Sequence, residues 1–205
     1  MFDVTPFLKP GDPFVAEFAH KMLVFKEYYD LKHRVARFIE PRSIVEIGVR
    51  AGYSAAAFLT GAYVGTRYRG YDADMIKSDG LHGGVPGYTA WAAHMLHDYF
   101  PQHLIEIRQL DTQATPLGLV GVWDFGHIDG DHSEAGCYQD LCSLEAHVRW
   151  LLVDDYHFIP DVRRAVDKFL RQRGYENMTI NSLRGEKLIK LPAADHSQDM
   201  AAVSG

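Results

Sequence analysis

The spacing of apolar residues changes character near Pro41. Over residues 13–39, Phe14, Phe18, Met22 and Phe25 recur every three or four positions, which predicts one or two amphipathic helices. Beyond Pro41, short apolar runs alternate with helical stretches. SIVEIG (43–48) reads as a strand ending in glycine, and residues 53–62 as a helix. Residues 66–72 predict a second strand, ending on an acid. Residues 73–87 are rich in glycine and read as a loop, and residues 88–100 as a helix. Further strands are predicted at 103–111, 122–129 and 149–155, with a helix over 133–148 between the last two. Pro160 and Gly174 bracket another helix, and residues 178–183 and 185–192 read as a closing hairpin.

Strands alternating with helices predict an α/β fold with a doubly wound, mostly parallel, Rossmann-like sheet and a C-terminal antiparallel hairpin. The expected organisation is a helical extension over 1–40, one ligand-binding domain over 41–192 and a tail over 193–205. In such sheets a ligand sits beyond the carboxyl ends of the strands. Acids gather at those ends: Glu46, Asp72, Asp111, Asp129, Asp131, Asp154 and Asp155. Burying an unpaired carboxylate is costly, so their shared placement predicts one acidic rim around one pocket.

Composition narrows the ligand. The chain has 205 residues, with 21 basic and 27 acidic side chains and a formal net charge of −6. That balance argues against a nucleic-acid backbone or an anionic membrane surface as main partner. No apolar run is long enough to span a bilayer, and the first residues lack the pattern of a signal peptide. Cys137 and Cys142 fall on different faces of one predicted helix, which argues against a disulfide or a zinc site. The expectation is a soluble, cytoplasmic protein with a small-molecule ligand. The apolar N-terminal helices offer a face on which a second copy of the chain could pack.

The segment Glu46-Ile-Gly48-Val-Arg50-Ala-Gly52-Tyr53-Ser54 lies at a strand-to-helix turn. Its glycines let the backbone approach a ligand, and the helix start offers N–H groups. Arg50 stands where a dinucleotide fingerprint has its second glycine, which argues against a pyrophosphate cradle. Asp72, 20 residues after Gly52, ends the next strand, where a carboxylate can accept both hydroxyls of a ribose. With these residues in view, the sequence resembles class I S-adenosylmethionine-dependent methyltransferases. The resemblance implies that Glu46, Gly48, Gly52, Tyr53 and Ser54 line the methionine and ribose parts of S-adenosylmethionine. It places Asp72 on the ribose hydroxyls, Asp111 and Thr112 beside the adenine, and Asp129 at the cofactor edge.

His127-Ile-Asp129-Gly-Asp131-His132-Ser-Glu follows the fourth strand, and Leu-Val-Asp154-Asp155-Tyr156-His157 ends the fifth. Parallel neighbours bring these carboxylates together, where a hard cation would relieve their repulsion: Mg²⁺, or Mn²⁺ or Ca²⁺. Helix capping by Asp131 or Ser133 and solvent-facing acids are the alternative. These two segments resemble macrocin-type sugar O-methyltransferases and cephalosporin-hydroxylase-like proteins, a branch of the metal-dependent O-methyltransferases. The resemblance implies Asp129, Asp154 and Asp155 as metal ligands and His132 as general base. The activity it implies is Mg²⁺-dependent methylation of a hydroxyl on a sugar-containing or other natural product. A non-methylating reaction on the same fold, or a non-catalytic nucleoside-binding protein, are the competing readings. His127 is expected to be a hydrogen-bonded structural residue, His157 a loop residue and His82 a lid contact. Tyr88 and Trp91 read as packing residues, and Arg163-Arg164 as a solvated helix face.

Overall fold

The computed structural model describes residue 20 and residues 23–74, 87–180 and 184–192. Strands β1 (Ser43–Ile47), β2 (Arg67–Asp72), β3 (Leu104–Gln109), β4 (Trp123–Ile128), β5 (Val148–Val153), β6 (Glu176–Ile180) and β7 (Glu186–Lys190) form one sheet. Its order is β3-β2-β1-β4-β5-β7-β6, parallel except that β7 runs antiparallel to both β5 and β6. The helices are α1 (Lys26–Ile39), α2 (Tyr53–Gly61), α3 (Tyr88–Tyr99), α4 (Glu134–Glu145) and α5 (Pro160–Arg173). The expected doubly wound sheet with a closing hairpin is therefore present. Phe14, Phe18, Met22, His82, most of the 73–87 loop, residues 181–183 and the 193–205 tail lie outside the described residues. No helix among the described residues is long and apolar enough to cross a membrane.

Strand alternation divides the core into two layers. Ile44, Phe125, Leu152 and Leu188 face one layer, packed under α1, α2 and α3 with Phe58 and Leu96. Val45, Ile128, Val153 and Ile189 face the other, under α4 and α5 with Leu141 and Phe169. Period two then determines what lies beyond the apolar rows. Glu46, His127 and Asp154 come two residues after Ile44, Phe125 and Leu152, and Glu186 comes two before Leu188. All four belong to the face covered by α1.

The helix before β5 ends earlier than its sequence pattern suggests. The His147 N–H bonds to the Leu144 carbonyl, 2.8 Å, and the His147 carbonyl accepts from Trp123 N–H, 2.7 Å, so Val148 already belongs to β5. Asp154 and Asp155 thus fall just past the last paired residue of β5. The chain leaves β1 toward β2 on one side and β4 toward β5 on the other. This reversal opens a crevice at the carboxyl ends of β1 and β4.

Candidate functional site

The turn after β1 is tight because it packs onto the exit of β4. Gly48 has φ +90°, and a Cβ there would stand 2.0 Å from the Asp129 carbonyl oxygen. Gly52, at φ +80°, caps the start of α2, so Tyr53 and Ser54 form the first turn of a helix that opens toward the crevice. Asp72, just outside, is fixed by two backbone donors. The Arg50 N–H reaches Oδ2 at 2.6 Å, and the Asp74 N–H reaches Oδ1 at 2.7 Å. A carboxylate offers about four lone-pair sites, so Asp72 keeps acceptor capacity for a further pair of hydroxyls. Asp111 accepts from Gln113 N–H at 2.9 Å, and Thr112 donates to Asp140 of α4 at 2.8 Å.

Glu46 does not join this crevice. It lies inside β1 on the α1 face, fully buried, with Oε1 against His127 Nδ1 at 2.9 Å and Oε2 accepting from Tyr68. His127 is the buried structural residue its position suggested. Its Nε2 lies 2.9 Å from Nζ of Lys32, which is also fully buried.

The acids after β4 and β5 separate into two roles. Asp129, His132 and Asp155 each bring one donor atom into a group whose members lie within 4.8 Å of one another. His132 Nε2 is 3.2 Å from Asp129 Oδ1 and 3.6 Å from Asp155 Oδ2. Asp154 turns the other way. Its Oδ2 accepts from Tyr28 and from Lys32, the latter at 3.1 Å, while its Oδ1 accepts the Asp155 N–H at 2.8 Å. Asp155, whose backbone is left-handed at φ +56°, turns toward His132 and Asp129 instead. Of the expected metal set, the geometry brings Asp129 and Asp155 together, beside the expected base His132, and leaves Asp154 outside the group. Of the two expected caps, Ser133 caps α4, accepting from Gly136 N–H at 3.0 Å, while Asp131 accepts the Ser133 N–H at 2.8 Å.

Electrostatics follow this arrangement. Burial raises the Asp129 carboxyl, but the His132 hydrogen bond and the nearby positive groups outweigh it and hold the carboxyl below the usual range. Burial and then the charge of Asp129 push Asp155 upward. Burial, followed by Asp155 and Glu186, pushes Asp154 up further. The exposed side of this group concentrates negative charge that a cation would offset.

Neither the family models nor the curated proteins contain a match to this sequence. Solved structures do resemble it. An O-methyltransferase from Bacillus cereus in complex with SAH is 13% identical, with 92% of this chain and 95% of that chain covered, at a TM-score of 0.63. The O-methyltransferase TomG from Streptomyces achromogenes, involved in tomaymycin synthesis and solved with SAM, is 17% identical, with 92% and 93% covered, at 0.63. A methyltransferase from Geobacter sulfurreducens is 18% identical, with 92% and 93% covered, at 0.64. The chain has the class I methyltransferase fold. In doubly wound sheets the crevice beyond β1 and β4 is the ligand side, and here the Gly48–Ser54 turn and Asp129 meet in it.

Its lining includes residues that sequence reasoning did not single out. Gly48, Val49, Arg50, Tyr53, Ser54 and Asp129 form one side of the crevice. Phe25, Tyr28 and Tyr29 at the start of α1, with Arg184 before β7, form the other. The empty space they enclose, counting its open mouth, is about 480 Å³. Lys32 was legible in retrospect: Tyr28, Lys32 and Ala36 recur at four-residue spacing, so a lysine stands in the buried stripe of α1. Arg184 carried no sequence signal. Tyr88 is buried in the core and Trp91 packs against it, while Arg164 pairs with Glu134 and Asp161 on the exposed face of α5.

Proposed function

We propose that the protein transfers a methyl group from S-adenosylmethionine to a hydroxyl of a small molecule, with a divalent cation, Mg²⁺ first among candidates, held beside the transfer point. The observation that carries this reading is the convergence of Asp129, His132 and Asp155 next to the Gly48–Ser54 turn, at the ligand edge of a methyltransferase fold. The residues fit both groups. The turn presents glycine backbone and a helix start, and Asp72 is fixed with acceptor capacity to spare. The Asp129–Asp155 pair supplies hard oxygen donors without a full protein cage, as Mg²⁺ sites commonly do. When bound, such an ion would orient acceptor oxygens and ease loss of the hydroxyl proton.

The chain's own residues divide the remaining work. Gly48, Gly52, Tyr53 and Ser54 would border the amino-acid and ribose parts of the cofactor, and Asp72 would accept from the ribose hydroxyls. Asp111 and Thr112 would flank the base. Asp129 and Asp155 would hold the cation, while Asp154 supports Asp155 by accepting its N–H. His132 takes the acceptor's proton, and Asp129, 3.2 Å from its Nε2, stabilises the imidazolium that results. The α1 aromatics exclude water from the in-line displacement at the methyl carbon, where most of the acceleration is positioning. Sugar-containing and other natural products are the acceptor class this reading favours. TomG, named for tomaymycin synthesis, shares the fold and lends that class its support.

The deciding experiment is calorimetric titration of S-adenosylmethionine and of NAD, each with and without Mg²⁺, followed by product mass. S-adenosylmethionine binding and a mass gain of one CH₂ on the acceptor are expected. Tight NAD binding with no response to S-adenosylmethionine overturns the reading. Turnover indifferent to EDTA removes the metal from it.

A further inference from the structure

The methyl-transfer reading gives the rings of α1 a water-excluding role and leaves the hydroxyl of Tyr29 without one. We propose that this hydroxyl binds the carboxylate at the amino-acid end of the cofactor, so that Tyr29 is the residue of α1 that selects an adenosine derivative carrying an amino acid. The proposal rests on the methyl-transfer reading and adds a specificity-determining residue to it.

Tyr29 is only 5% exposed, yet it lines the crevice. Its backbone N–H bonds to the Phe25 carbonyl at 3.1 Å, and its ring meets that of Tyr28 edge-on, with centres 5.0 Å apart. The Tyr28 hydroxyl is tied to Asp154, whereas the Tyr29 hydroxyl has no hydrogen-bond partner among the described residues. A hydroxyl drawn out of bulk water costs stability until a partner meets it, so an unpaired one on a crevice wall is poised for a ligand. The charges that bear on it are Asp129, Arg184 and Arg50, which line the crevice, and then Glu46. Burial, and after it Asp129, pushes the Tyr29 hydroxyl above its ordinary value of 10.0. It therefore stays a neutral O–H and serves as a donor, not as a base.

What stands opposite decides the partner. The Tyr29 and Tyr53 ring centres are 6.0 Å apart, so the α1 wall meets the first turn of α2 at this point. A helix start attracts anions through its N–H groups and its dipole. A neutral O–H across from it suits a carboxylate, whose two oxygens accept from both sides. Asp72, the proposed ribose acceptor, lies outside the crevice lining, so a nucleoside held there reaches Tyr29 with its other end. For S-adenosylmethionine that other end is the amino acid. Asp129 shares the lining, but the proposed divalent cation offsets its charge, so it does not oppose an anion there.

A matched pair of probes separates ligand binding from packing: SAH, and decarboxylated SAH, which keeps the nucleoside, the thioether and the amine. Both are titrated calorimetrically into the full chain with Mg²⁺ present. In the wild type SAH is expected to bind about tenfold tighter or more, because the carboxylate supplies charge-assisted acceptors. Tyr29→Phe keeps the ring and should weaken SAH by about tenfold, while decarboxylated SAH changes by less than about twofold. Without ligand, the urea midpoint of Tyr29→Phe should match or exceed that of the wild type, since no hydrogen bond within the chain is lost. A tyrosine that only packs would weaken both probes equally, and that result overturns the proposal. So does unchanged SAH affinity in Tyr29→Phe, or absence of an SAH preference in the wild type. A clear drop in the urea midpoint, or failure of the variant to fold, also overturns it, because the hydroxyl then already has a partner in the chain. If neither probe binds the wild type, the methyl-transfer reading falls and this proposal with it. Every other failure leaves that reading standing.

Discussion

Lys32 Nζ lies 3.1 Å from Asp154 Oδ2, joining residues 122 positions apart and both shut off from solvent. The same ammonium is 3.4 Å from Glu186 and 2.9 Å from His127 Nε2, and it rests over the Tyr28 ring. One cation from α1 therefore offsets a row of acids that strand alternation forces onto the buried face. Its replacement by an uncharged side chain of similar length strands Asp154 and Glu186 without a counter-charge. Lys32→Met is expected to lower stability by about 3–5 kcal/mol, measured by urea denaturation. Adding Glu186→Gln should restore part of that loss, because one of the stranded acids is then neutral. A loss in Lys32→Met below about 1 kcal/mol would mean that the acids do not need this cation.

The inward turn of Asp154 separates it functionally from its neighbour. Asp155→Asn and Asp129→Asn are each expected to weaken Mn²⁺ binding by at least about tenfold in calorimetric titration, since each removes a charged donor. Asp154→Asn should cost less Mn²⁺ affinity than either, since its oxygens face Lys32, Tyr28 and the Asp155 N–H, and an amide oxygen can still accept that N–H. Equal losses in all three variants would return Asp154 to the metal set.

His132 is distinguished from the acids by what its removal leaves intact. His132→Ala is expected to cut turnover by about a hundredfold or more, with S-adenosylmethionine affinity unchanged and Mn²⁺ affinity within about threefold of wild type. The imidazole, beside the crevice residue Asp129, is 37% exposed and so accessible to an acceptor hydroxyl. Loss of Mn²⁺ binding in this variant would make the imidazole a ligand rather than the base.

How far these roles were legible in the sequence depended on the distance over which each is determined. The sheet was readable because glycine and carboxylates repeatedly follow short apolar runs, a local pattern with few alternatives. The turn at Gly48–Ser54 and the acids after β4 and β5 were readable for the same reason. The opposite fates of Asp154 and Asp155 were not, because they depend on a lysine in α1 and on one left-handed residue. Glu46 was read as a rim acid because it is followed by a glycine turn. Its place one residue before the end of β1 instead puts it in register with His127, on the α1 face. Arg184 reaches the site only because β7 inserts beside β5, a topology that no local pattern encodes.

The glycines of the first turn are expected to differ in what they tolerate. A Cβ at Gly48 would overlap the Asp129 carbonyl, a backbone atom that cannot move without displacing Asp129 itself. At Gly52 the nearest atoms are the Met95, Ala92 and Leu96 side chains at 3.1–3.4 Å, which can yield. Gly48→Ala should therefore cost about 3 kcal/mol or more by thermal or urea unfolding and should weaken Mn²⁺ binding. Gly52→Ala carries mainly the positive-φ strain, about 1–2 kcal/mol, with Mn²⁺ affinity retained. Equal effects of the two substitutions on Mn²⁺ would break the link between Gly48 and the position of Asp129.

Asp140 gives the site a pH dependence that can be measured without any ligand. It is fully buried in α4, where it accepts from Thr112 at 2.8 Å and from Gln113 Nε2 at 3.0 Å, the segment proposed to flank the adenine. Burial pushes its carboxyl up to about 6, against the ordinary value of 3.8. The folded chain therefore holds a proton that the unfolded chain has already released between about pH 4 and pH 6. Stability falls as pH rises through that window, by on the order of 2–3 kcal/mol. Asp140→Asn keeps an acceptor for Thr112 and cannot titrate, so its urea-denaturation profile should be flatter between about pH 4 and pH 7 than that of the wild type. The difference between the two proteins should move in favour of the variant as pH rises. Parallel profiles across that range would show that Asp140 does not change its protonation there.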